Sequence, residues 1–114
     1  MQKYIKIIRT IKKKLLNKYI FIALNNLDVK GNHFTPQYLY TEDILNLNIV
    51  KYENIDSDFS NLMKKYNLDI KLNGRVNVSC GYFCFDDLSK ESIQLINKVY
   101  YNDFKMFNYK VIKE

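Results

Sequence analysis

Tryptophan is absent from this sequence, and proline (one), histidine (one), cysteine (two) and glycine (three) are scarce. With so little Gly and Pro, and 47% apolar residues in 114, neither a disordered nor a collagen-like chain fits. One compact domain is expected. A structural zinc site needs four Cys or His ligands, and Cys80, Cys84 and His33 cannot supply them, so no metal is expected. The C-x3-C pair reads as two small apolar side chains, since a reducing compartment disfavours a disulfide. A cysteine nucleophile would depend on His33 as its base, and nothing in the sequence places that residue beside either thiol. Long hydrophobic runs are missing as well. The longest, Tyr19 to Leu24, has six residues, against the roughly 18 to 20 of a bilayer-spanning helix. Charges at Lys6, Arg9 and Lys12 to Lys14 interrupt any signal-peptide core, so a cytoplasmic address is expected.

Negative charge is missing from one end only. Residues 1–18 hold seven bases and no acid, whereas the other 96 hold eleven bases and twelve acids, so the net +6 sits at the amino-terminal end. Such asymmetry suits a surface that meets a polyanion. Coding bias is the more ordinary cause: Asn, Ile, Lys and Tyr make up 53 residues, and Lys outnumbers Arg sixteen to two.

Periodicity organises what is present. Residues 3–24 carry Tyr4, Ile8, Ile11, Leu15, Tyr19 and Ile22 at spacings of three or four, with Lys6, Arg9, Lys13 and Asn17 opposite. This predicts an amphipathic helix. Ile5, Ile7, Leu16 and Ile20 widen the apolar stripe, so the helix is expected to pack into a larger body; an anionic membrane surface is the alternative. Asn25 to Pro36 reads as a loop and Tyr38 to Leu47 as a short helix. Asn48 to Tyr52 reads as a short strand, followed by a sharp turn and a helix carrying Ile55, Phe59, Leu62, Met63 and Tyr66. A second short strand at Arg75 to Ser79 and a last helix from Ser89, as N-cap, to Phe107 complete the chain. Tyr52, Phe59, Tyr100, Phe104 and Tyr109 are expected in the core.

The segments Asn32-His-Phe-Thr-Pro-Gln37 and Ile49-Val-Lys-Tyr-Glu-Asn-Ile-Asp-Ser-Asp-Phe59 resemble the carboxyl-terminal half of the carbohydrate sulfotransferase family. So do Asn77-Val-Ser79 and the closing Tyr100-Tyr-Asn-Asp-Phe104 with Phe107-Asn-Tyr109. Four motifs thus occur in family order across residues 32–109, with Asn108 where the family has Gly, a mild change because Asn tolerates positive φ. The resemblance implies an α/β fold: a mostly helical, partial P-loop-like sulfotransferase domain with one or two short parallel strands. It also implies transfer of a sulfuryl group from 3′-phosphoadenosine 5′-phosphosulfate (PAPS) to a carbohydrate hydroxyl. The family's donor-binding motifs are not in this sequence: Gly31 and Gly74 are isolated, and no G-x-x-x-x-G-K-[ST] run exists. The acceptor-side half is what remains, so PAPS would be held only if a second chain brought the donor-binding half.

Sulfuryl transfer requires a base at the acceptor hydroxyl and cations around the sulfonate. Glu53 and His33 are the candidate bases. Glu53 otherwise caps the next helix or pairs with Lys51 or Arg75, and His33 otherwise bonds to the backbone near Pro36. Arg75 and Ser79 are the candidates for the cofactor's phosphate, where a guanidinium can fork onto the anion. Asn54 and Asn77 are the candidates for the sugar; turn and strand-end roles explain them as well. The rival function is a non-catalytic polyanion-binding module using the Lys-rich first helix on an acidic glycan or nucleic acid. Nucleic acid is the less expected partner, because no recognition motif accompanies the charge.

Overall fold

A computed structural model describes residues 2–27, 33–74 and 83–114. These residues are mostly helical. Four helices, α1 (Gln2–Leu24), α2 (Ile55–Lys65), α3 (Lys90–Val99) and α4 (Tyr101–Met106), occur with 3-10 turns at Gln37–Tyr40 and Tyr52–Asn54, between α1 and α2, and at Phe85–Asp87, before α3. The chain divides into two units, residues 1–43 with 81–114, and residues 44–80.

In the first unit α1 packs on α3, and α4 touches both α3 and the Gln37–Tyr40 turn. The side of α1 that is most buried is not the Tyr4–Ile22 stripe, of which Tyr19 meets the Phe34 ring edge-on at 5.9 Å between centroids. Leu24 is buried and Leu16, Asn17, Ile20 and Ala23 are half-buried, while Tyr4 is 70% and Leu15 60% exposed. Leu24, Pro36 and Ile93 of α3 are the buried apolar residues among those described. Burial of polar groups accompanies them: Thr35, Asp87 and Ser92 are also buried, and no buried side-chain nitrogen or oxygen among the described residues lacks a partner.

Asn17, on the side of α1 expected to face water, joins the two helices. Its Oδ1 accepts from the Ser89 N–H (2.8 Å) and the Ser92 hydroxyl (2.7 Å), and its Nδ2 donates to the Asp87 carbonyl (3.0 Å). Ser89 caps α3 as its sequence predicts, its hydroxyl accepting from the Ser92 N–H at 3.1 Å. The predicted single helix from Ser89 to Phe107 is instead two, interrupted at Tyr100 (φ −100°, ψ 18°), which closes α3 and opens α4. Asn108 then takes φ 60° while the Tyr109 N–H donates back to the Phe104 carbonyl at 2.8 Å. That is a Schellman ending, with Asn in the place that favours Gly. The tail returns along α3, where the Asn97 amide exchanges two bonds (2.8 and 2.9 Å) with the backbone of Ile112.

The predicted helix over Tyr38 to Leu47 does not form. Only the turn Gln37–Tyr40 is helical; the Thr41 hydroxyl donates to the Tyr38 carbonyl (2.7 Å), and Asp43 (φ 59°) and Asn46 (φ 58°) take left-handed conformations that a right-handed helix excludes.

In the second unit the predicted strand at Asn48 to Tyr52 is also corrected. No strand exists among the described residues. Lys51 is extended (φ −85°, ψ 136°), but Tyr52 already begins the 3-10 turn. One extended residue leading into a turn, with no ladder to another strand among the described residues, is not a sheet. The second predicted strand, Arg75 to Ser79, lies outside the described residues, and no parallel pair is seen among the others. Helix α2 follows its predicted range, with Asp56 and Asp58 in the first turn and Lys64 and Lys65 in the last, as the helix dipole favours. It ends, like α4, on an Asn: Asn67 has φ 53°, and the Leu68 N–H reaches the Met63 carbonyl at 2.8 Å. Of the five aromatics expected in the core, Phe59, Tyr100 and Phe104 are half-buried, whereas Tyr52 and Tyr109 are exposed.

Candidate functional site

The predicted site residues fall in different places along the chain. Arg75, Asn77 and Ser79 lie outside the described residues. Glu53 and Asn54 belong to the second unit and His33 to the first. Glu53 is exposed in the middle of the Tyr52–Asn54 turn, and the exposed Asn54 is the residue before α2. The strand expected just before this pair is therefore replaced by a turn leading into a helix. The Asn54 N–H donates to the Lys51 carbonyl (3.1 Å), and the Asn54 carbonyl accepts the Ser57 hydroxyl (3.1 Å). Its side chain makes no capping bond, and the residue is exposed. His33 is exposed in the turn that precedes the buried Thr35 and Pro36.

Two of the quoted motifs are joined directly. The Tyr100 hydroxyl donates to the Phe34 carbonyl at 2.6 Å, and the Asp103 carboxylate accepts the N–H groups of Gln37 and Tyr38, each at 2.8 Å. Pro36 brings no N–H of its own, so the start of the Gln37–Tyr40 turn presents two backbone donors that only an outside acceptor can satisfy. Asp103 is that acceptor. Burial, and secondarily the charge of Asp103, push the Tyr100 phenol above its ordinary value of 10.0, so it stays a donor at neutral pH.

Two clefts flank this framework. One, of about 450 Å³, lies between the end of α1, the Pro36–Leu39 segment and α3, with Asn25, Tyr38 and Lys98 as its polar lining. The other, of about 470 Å³, is bounded by Ile5, Ile8, Arg9 and Lys12 of α1 and by Phe83, Cys84 and Asp87. In it the Asp87 carboxylate accepts from the Cys84 N–H (2.8 Å) and stands 3.6 Å from the Arg9 guanidinium. The Cys84 N–H chiefly, then the Cys84 thiol, Arg9 and Lys13, hold Asp87 below the usual carboxylate range against the opposing effect of burial. An acid held ionised in this way anchors a turn and is a poor proton acceptor.

A phosphosulfate cradle is not formed by the described residues. Arg9 is committed to Asp87, and no group of metal-ligating side chains occurs among them. Asn17, Asp87, Ser92 and Asp103 carry the framework and were not legible as doing so. Only Asp103 had a signal, its place in the Tyr-x-x-Asp-Phe motif. No protein-family model matches the chain, and neither a curated protein nor a solved structure matches it.

Proposed function

We propose that the chain is the acceptor-side part of a carbohydrate sulfotransferase, with donor binding contributed by a second chain. The supporting observation is the junction of Tyr100 and Asp103 with Phe34, Gln37 and Tyr38. Motifs separated by more than sixty residues, and quoted for their order alone, form one hydrogen-bonded unit. In this reading the fold is completed as a P-loop-like α/β domain when the donor-binding part is present. Glu53 or His33 takes the proton of the sugar hydroxyl, Asn54 and Asn77 hydrogen-bond the sugar, and Arg75 with Ser79 face the nucleotide's phosphate. No step through PAPS is derived from the described residues.

The rival reading, a polyanion-binding module, rests on the exposed lysines of α1. Titration of the chain with a desulfated glycosaminoglycan oligosaccharide and with heparin, at low and high salt, separates them. The sulfotransferase reading expects saccharide binding that survives added salt and weakens about five- to tenfold in Asn54→Ala, the loss of one or two hydrogen bonds. Binding that follows charge density alone and collapses with salt supports the module instead. Absence of saccharide binding at millimolar concentration overturns the proposal.

A further inference from the structure

We propose that α1 is a docking helix for an anionic lipid bilayer, lying in the headgroup plane on its Tyr4–Ile22 stripe. This inference is independent of the sulfotransferase reading. The fold packs chiefly on the other side of α1; although Tyr19 meets the Phe34 ring edge-on and Ile8 lines the cleft beside Phe83, Tyr4, Ile8, Ile11, Leu15, Tyr19 and Ile22 each remain more than half exposed. That is a continuous apolar line along a 23-residue helix, about 35 Å long.

Charge selects the occupant. Seven bases and no acid lie on α1, so a second copy of the same helix would bring like charge against like charge. At about 100° per residue, Lys14 and Lys18 border the stripe on one side and Lys12 on the other. Lysine is depleted in protein–protein interfaces, but at a bilayer its long stem covers apolar surface while its ammonium reaches lipid phosphate. Tyr4 and Tyr19 add phenols of the kind enriched at headgroup depth. A soluble polyanion would engage the lysines and leave the apolar line in water. No helix among the described residues is long and apolar enough to cross a membrane, so α1 lies on the surface and does not span it.

Co-sedimentation of the full chain with phosphatidylcholine vesicles, with and without phosphatidylserine, tests this. Expected is binding that requires phosphatidylserine, drops about fivefold for each of Lys14→Gln and Lys18→Gln, and drops about a hundredfold or more in the double variant Ile11→Asn, Leu15→Asn. The double variant alters exposed positions and adds no negative charge, and its circular dichroism should match that of the parent. Overturning results are no binding to either vesicle, or binding unchanged in the double variant. A stable dimer of the free chain that the double variant dissolves, or binding to heparin as tight as to the vesicles and equally sensitive to that variant, would also overturn it.

Discussion

Three side chains, Tyr100, Asp103 and Asn17, carry polar contacts between segments far apart in the chain. Of these, Tyr100 makes a pH-dependent statement. Its phenol donates to the Phe34 carbonyl and lies near Asp103. A phenolate cannot donate, and it would face both a carbonyl oxygen and a carboxylate. The folded-state value is raised above 10.0, so the folded chain holds this proton more tightly than the unfolded one. Stability from the group is therefore complete below about pH 10 and lost as pH rises through the folded value. Urea unfolding should show the parent losing stability above about pH 10 more steeply than Tyr100→Phe, which at neutral pH is less stable by about 0.5–1.5 kcal/mol. Parallel pH profiles for the two proteins would refute this account.

At the scale of elements, helices that are periodic and well capped were legible: α1, α2 and the Ser89 start of α3 stand where the sequence puts them. What failed is equally specific. Periodicity counts apolar residues and cannot say which part of a wide stripe packs: Leu16 and Ile20, which widen it, pack beside Leu24, while the Tyr4–Ile22 line stays largely exposed. Asp43 and Asn46 ended a helix by adopting positive φ, a choice that their side chains permit without announcing. Leu24 and Leu15 turn this difference into a measurement. Leu24→Ala truncates a buried apolar side chain and should cost about 2–4 kcal/mol in chemical denaturation. Leu15→Ala, the same change on the same helix, should stay within about 0.5 kcal/mol. Equal costs would mean that α1 packs by its other side.

For the whole molecule, stability is expected to be uneven. Helix α3 holds two buried residues, and α2 holds none. Amide hydrogen exchange should therefore find the amides around Ile93 the slowest and those of α2 fast, because exchange follows the local cost of opening. Uniform protection across both helices would contradict this. The candidate site was legible only as an order of motifs. Asn32–Gln37 and Tyr100–Tyr109 proved to touch, since the bonds between them involve residues within the quoted segments. The Asn48–Tyr52 segment reads as a strand because three β-forming residues, Ile49, Val50 and Tyr52, cannot reveal whether a neighbouring strand exists to pair with them. Arg75, Asn77 and Ser79 fall outside the described residues, so their part in the site rests on the sequence alone.

The bridge from Asn17 to Ser89, Ser92 and Asp87 has a consequence for rotational setting. Turning α1 about its axis to hide its greasier side would strand the amide hydrogen of Ser89 and pull Arg9 away from Asp87. One carboxamide thus acts as a key: oil alone would accept either orientation, and the key admits the one that leaves the larger apolar surface outside.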